Sequence, residues 1–164
     1  MFIKNFIFCS TLIFISFSCL SQQQEDERYA VKNFEKIDTM ILSPDYQYKY
    51  YRNKNDPSIL MEDVFSDSAK LKMVGRRFLK NGIHTGPCIF YTDEGDALTT
   101  GYYLNDKKDG QWLTYYYGQK KVKQEQYYNK GQRSGSWKTY DETGKLTSEE
   151  TYDAAGNRAG KKIY

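Results

Sequence analysis

Polar and apolar positions alternate with a period of two along much of this chain, the pattern of strands that expose one face. Tyr46, Tyr48 and Tyr50 alternate with Gln47, Lys49 and Tyr51. After the turn NKNDP at 53–57, Ile59 to Phe65 forms a second strand. Further on, Trp112, Thr114 and Tyr116 alternate with Leu113, Tyr115 and Tyr117, and Trp137 and Thr139 alternate with Lys138 and Tyr140. This predicts a Trp column and a Tyr column on opposite faces of one sheet. Strands of a second kind start at Leu71, Leu98, Val122 and Leu146 and end at Phe78, Tyr103, Tyr128 and Tyr152. Turns such as Asn81-Gly82, Asn105-Asp106, Asn129-Lys130-Gly131, Asp93-Glu94-Gly95 and Asp141-Glu142-Thr143-Gly144 separate the strands, since Gly and Asn tolerate positive φ. The stretch Tyr29 to Leu42 stays open. Val31, Phe34, Ile37 and Ile41 fall near helical spacing, but strand or irregular chain fits it too, and Pro44 ends it.

The strands recur with a fixed period. Gly86, Gly110 and Gly135 each open a block G-x-(Cys/Trp)-x-x-Tyr that ends at Tyr91, Tyr115 and Tyr140, and Gly160 follows another 25 residues on. One hairpin is barely stable in water, so successive hairpins must stack. The expected fold is all-β: a repetitive antiparallel hairpin meander forming a single elongated twisted sheet over residues 44–164. Its copies fall at about 66–95, 96–119, 120–144 and 145–164. The first is degenerate, with Cys88 in the Trp position and Pro87 suiting an edge or bulge. The last is short, as a cap would be.

In GYYLNDKKDGQWLTYY and YYNKGQRSGSWKTYDETGKL the offsets recur together. Over about residues 66–164 the chain resembles the MORN-type repeat, in the variant of YwqK-like antitoxin-family proteins. The resemblance implies the hairpin architecture and, less directly, an antitoxin-like role of binding a partner toxin.

The N-terminus follows a different logic. Lys4 is a basic head, Phe6 to Phe17 is an apolar run, and Ser16 and Ser18 stand at −3 and −1 before Cys19. This is the layout of a secretory signal over residues 1–18. As a helix, the apolar run spans about 18 Å, short of a bilayer core of roughly 30 Å. Ser16-Phe17-Ser18-Cys19 resembles a bacterial lipobox, although Leu at −3 and a small residue at −2 are missing. Lipidation of Cys19 is the favoured reading, against plain secretory cleavage at the same bond and an uncleaved anchor. Residues 19–43 then form a tether and lead-in. The polar run LSQQQEDE after Cys19 resembles the surface-export signal of Bacteroidota lipoproteins. Localisation would be the envelope: lipid-anchored, at the outer membrane, and on the exposed surface if that signal operates. With Cys9 lost in the signal and Cys19 lipidated, Cys88 has no partner for a disulfide.

Composition narrows the function. The chain has 24 basic and 21 acidic residues, a net +3 that is too mild to argue for a nucleic-acid partner, and none is expected; loss of Lys4 with the signal makes it +2. Sixteen Tyr among 164 residues indicate a thin, aromatic-rich core. No catalytic constellation is expected. The lone His84 has no base–nucleophile–orienter set around it, Cys88 reads as a core residue, and Asp93-Glu94-Gly95-Asp96 lacks the alternating ligands of a calcium loop. No cofactor and no metal are expected. Trp112, Tyr115, Tyr116, Tyr117, Tyr128, Trp137 and Tyr140 are the candidate binding surface, beside Tyr127 and Lys107, Lys108, Lys120, Lys121, Lys123 and Lys130, because Lys-flanked rings hold sugars, peptides or acidic headgroups. The repeat offsets explain most of these rings as packing, while Tyr116 and Tyr117 exceed the consensus. The leading expectation is a non-catalytic envelope lipoprotein that binds a protein or a glycan. An antitoxin or immunity protein binding a toxin is the alternative, and a glycan hydrolase using His84, Asp109 or Glu150 ranks below both.

Overall fold

The computed structural model describes residues 27–43, 46–66 and 72–164. Cys19 and the signal lie outside them. The chain divides after Asn33 into two units. In the first, the described part is a helical residue pair at 27–28 that turns into a 3₁₀ segment at Val31–Asn33, with the Asn33 side-chain amide donating to the Glu27 carbonyl at 2.8 Å.

The second unit, Phe34–Tyr164, is all-β. Its strands are β1 (Phe34–Ser43), β2 (Tyr46–Asn53), β3 (Ile59–Ser66), β4 (Met73–Lys80), β5 (Ile83–His84), β6 (Gly86–Tyr91), β7 (Ala97–Leu104), β8 (Lys107–Tyr115), β9 (Val122–Asn129), β10 (Gln132–Tyr140), β11 (Leu146–Tyr152) and β12 (Arg158–Ile163). They form one antiparallel sheet in chain order, with only the short β5 off the path, paired to β4. The hairpins expected from residue 46 onward are present. The open stretch is also strand: β1 pairs with β2 from Phe34 to Ser43, so near-helical spacing gave way to a ladder partner.

The turns follow the sequence chemistry. Between β7 and β8, Asn105 and Asp106 both have positive φ (51° and 61°), as does Lys130-Gly131 between β9 and β10 (48° and 91°). On the other rim, Asp141 N–H bonds the Lys145 carbonyl at 2.9 Å, and Asp141 Oδ1 accepts the Thr143 and Lys145 N–H groups. Asp153 repeats this arrangement with Ala155 and Asn157.

The G-x-W motif has a mechanical reading. Gly110 and Gly135 sit at φ of 65° and 62°, where L side chains are strained. They lie within breaks in the ladder register, between Thr100 and Tyr102 for β7–β8 and between Ser134 and Lys138 for β9–β10. Two residues after each glycine, the indole bonds across the break. Trp112 Nε1 donates to the Tyr102 carbonyl at 3.2 Å and Trp137 Nε1 to the Tyr127 carbonyl at 2.9 Å. Glycine makes the bulge and tryptophan supplies the donor that the bulge removes from the ladder.

The rings that follow form a file on this indole face. Tyr103, Trp112, Tyr128, Trp137 and Tyr152 meet in sequence at centroid distances of 5.1, 6.3, 5.2 and 4.9 Å. Four such contacts contribute about 1 kcal/mol each beyond the area they bury. Lys108 lies 4.2 Å over Trp112, and Arg133 lies 4.8 Å over Trp137, each four residues before its indole. Toward the N-terminus the buried side changes. Phe34, Ile59, Met61 and Phe78 are buried on the opposite face, with Ile59 at 0% and Met61 at 1% exposure. Among the described residues, no helix is long and apolar enough to cross a membrane.

Trp112 is 3% exposed because its ring lies on Gly101; a Cβ there would meet Trp112 Cδ2 at 2.3 Å. Gly101→Ala must displace the indole or the strand, and the expected loss is about 3 kcal/mol. Urea unfolding of the variant against the parent chain measures it. A loss within a few tenths of a kcal/mol would show that the file yields freely.

Candidate functional site

The seven aromatics proposed as one binding surface lie in three places. Trp112, Tyr128 and Trp137 belong to the file on the indole face, under Lys108 and Arg133. Tyr115 and Tyr140 project from the opposite face, as the alternation predicts. Tyr115 Oη lies 3.3 Å from Thr100 Oγ1, and Tyr140 Oη donates to Glu125 Oε2 at 3.2 Å. Tyr116 and Tyr117 sit where β8 enters the rim turn. Tyr116 Oη donates to the Tyr140 carbonyl at 2.7 Å and ties two repeats together. Tyr117 is 60% exposed, and its hydroxyl donates to the Glu94 carboxylate of the neighbouring turn. That bond pushes the Tyr117 hydroxyl up to about 12.

The polar candidates each have a hydrogen-bond partner within the fold. His84 Nδ1 lies 2.7 Å from Asp106 Oδ1, and its ring faces Tyr103 at 6.0 Å. Asp109 Oδ1 accepts the Lys130 N–H at 2.8 Å and stitches two turns. Glu150 accepts from Tyr152 Oη at 2.7 Å and pairs with Lys161 at 3.1 Å. Burial pushes the Cys88 thiol up to about 12, so little of it is thiolate near neutral pH. Among the described residues, no group of three His, Cys, Asp or Glu side chains could hold a metal ion.

Two features escaped the periodic reading. The first is a pair of buried carboxylates on β3. Glu62 and Asp63 are 4% and 3% exposed and point to opposite faces, each facing an arginine of β4. Asp63 takes a two-pronged contact from Arg76 at 2.6 and 2.8 Å. Glu62 bonds Arg77 and accepts Tyr50 Oη at 2.8 Å. The tandem acids of MEDVF on β3 and tandem arginines of GRRF on β4 were a readable signal, but only once the register was known.

The second is a pair of open hollows on the face opposite the indoles. One, of about 390 Å³, spans β4 to β8 and is lined by residues including Phe78, Ile89, Tyr102, Gln111 and Leu113. The other, of about 450 Å³, spans β8 to β10 and the following turn; Gln111, Leu113, Val122, Glu125, Tyr140 and Lys121 line it. They share Gln111 and Leu113 as a common ridge. Gln111 Nε2 donates to Glu125 Oε1 at 2.6 Å and Tyr127 Oη donates to the same oxygen at 2.9 Å. Burial pushes the Glu125 carboxyl up, but these donors and Tyr140 outweigh it and hold it below the usual carboxylate range. A third hollow, of about 280 Å³ on the indole face, is polar and includes Gln126, Arg133, Glu150 and Lys161.

No protein-family model matches the chain, and no curated protein matches it. Two solved structures show a distant likeness. The crystal structure of TarM is 14% identical at a TM-score of 0.34, covering 69% of this chain and 24% of TarM. A mutant S. aureus TarM in complex with Fondaparinux, alpha-GlcNAc-glycerol and UDP is 16% identical at a TM-score of 0.28, covering 79% and 23%. The chain thus spans about a quarter of either protein, and at these scores neither bears on what it does.

Burial first, and then the bond to Glu62, push the Tyr50 hydroxyl from 10.0 up to about 12. A folded value above the unfolded one means stability that is full below pH 10 and is lost as the pH rises toward 12. Tyr50→Phe is therefore expected to cost about 1 kcal/mol at neutral pH, and to lose less further stability than the parent between those two pH values. Urea midpoints across that range test it; parallel declines in the two chains would remove Tyr50 as a source of alkaline sensitivity.

Proposed function

We propose that this chain is a non-catalytic, lipid-anchored envelope protein whose MORN-like sheet is a binding surface for a protein or glycan partner. The observation that carries this reading is the pair of open hollows opposite the indole file. Their walls mix Tyr rings and aliphatic side chains with a few fixed polar groups, the makeup of binding sites. His84 and Glu150 lie outside these hollows, His84 Nδ1 beside Asp106 and Glu150 held by Tyr152 and Lys161. The signal-like sequence ending at Cys19 supports membrane attachment through lipid, with a diacylated chain holding more firmly than a single acyl group. Surface repeat sheets that present a face without performing chemistry are consistent with this arrangement.

The test is the intact mass of the N-terminal peptide from the native host, with protease shaving of whole cells in parallel. The expected result is a chain beginning at a lipid-modified Cys19. An unmodified Met1 in the soluble fraction would overturn the envelope reading and put the antitoxin-type reading in its place.

A further inference from the structure

From the two joined hollows we infer that the face opposite the indoles is a subsite for a neutral, linear oligosaccharide, laid across the strands from Tyr102 to Tyr140. The inference deepens the binding-surface reading and rests on it. Gln111 and Leu113 line both hollows, so the two adjoin across a shared ridge and together reach from β7 across β8 and β9 to β10. Three interstrand steps across the sheet and about four residues along the strands put the two tyrosines roughly 19 Å apart. That suits a short chain of rings resting on the sheet rather than one small molecule enclosed by it.

The chemistry of the walls matches a sugar. A pyranose offers an apolar C–H face and a rim of hydroxyls. Tyr102, Leu113 and Tyr140 supply surfaces for the first, and Gln111 and Glu125 supply planar donors and acceptors for the second. Gln111 and Glu125 are already fixed by their mutual bond at 2.6 Å, with Tyr140 holding the other carboxylate oxygen at 3.2 Å. Their rotamer freedom is spent before a ligand arrives, which lowers the cost of binding.

Charge selects a neutral ligand. In the first hollow Arg76 is matched by Asp63 at 2.6 and 2.8 Å. In the second, Lys121 and Glu125 carry opposite charges, and Lys121 Nζ donates to the Glu142 carbonyl at 2.7 Å. An acidic chain would find no cation without a partner here. Both tryptophans and Arg133 lie on the other face, which leaves Tyr102, Tyr140 and the ion-paired Arg76 as large side chains here. Strand addition would use β1 or β12, the edges of the sheet, and neither lines these hollows.

The experiment is titration of the full chain with chitotetraose, cellotetraose and, as an acidic counterpart, tetragalacturonate, followed by calorimetry. Gln111→Ala and Tyr140→Leu alter the groove, and Arg133→Ala alters the opposite face; circular dichroism confirms that each variant folds. The expected result is binding of a neutral tetraose, weakened about tenfold by either groove variant and unchanged by Arg133→Ala. Binding of neither neutral sugar overturns the assignment, as does preference for tetragalacturonate. Sugar binding lost only in Arg133→Ala would also overturn it, while the broader reading of the sheet as a binding surface would stand. Capture of an envelope protein by chemical cross-linking through Gln111→Cys, with no sugar bound, would overturn the glycan and leave that broader reading in place. No sugar bound and no cross-link would bring both down.

Discussion

A sheet that is one layer thick has no second layer to bury its face, so its own side chains must cover the ladder. Here that task falls to rings set two residues after a glycine. The positive φ of Gly110 and Gly135 breaks the ladder, the break frees a carbonyl, and the indole two residues on closes onto it. Once the indole is fixed, the tyrosines of the strands on either side pack against it at 5–6 Å, and a cation four residues before it lies over the ring. Each repeat therefore depends on its neighbours and on little else, as in other linear repeat folds. Tyr116 adds a second tie between repeats, its hydroxyl reaching the backbone of Tyr140.

Concentrating the rings on one face leaves the other face open. The buried side is opposite the indoles up to Phe78 and is the indole side from Cys88 onward. Around this crossover and beyond it the opposite face keeps two joined hollows, where half-buried tyrosines and fixed polar groups remain in contact with solvent. The degenerate first copy contributes to this. Pro87 stands in the wall of the first hollow, next to Cys88, which takes the Trp position and is buried toward the indole side. The departures from the repeat consensus thus fall next to the proposed binding groove.

Much of the architecture was legible because hairpins announce themselves through local chemistry. Asn105-Asp106 and Gly131 demanded positive φ, the period of two separated Trp112 from Tyr115, and both effects act within a few residues. What could not be read needed the register. β1 looked equally good as a helix, and only its pairing with β2 settles it as strand. Glu62 and Arg77 stand opposite each other fifteen residues apart, and no local rule brings them together. The candidate site depends on the register too. Ring content points to Trp112, Tyr128 and Trp137, which pack in the file, whereas Gln111 and Leu113 draw notice only when strand order sets them between two tyrosines.

The dependence of each repeat on its neighbour is tested most directly by hydrogen exchange of backbone amides in Trp137→Ala, compared strand by strand with the parent chain. Removing that indole takes away the donor to Tyr127 and the contacts to Tyr128 and Tyr152. Protection is expected to fall in β9 to β12 and to persist in β2 to β4, a graded loss with distance from the missing ring. Equal loss along the whole sheet, or none in β9 to β12, would contradict an account in which the ring file holds the repeats together.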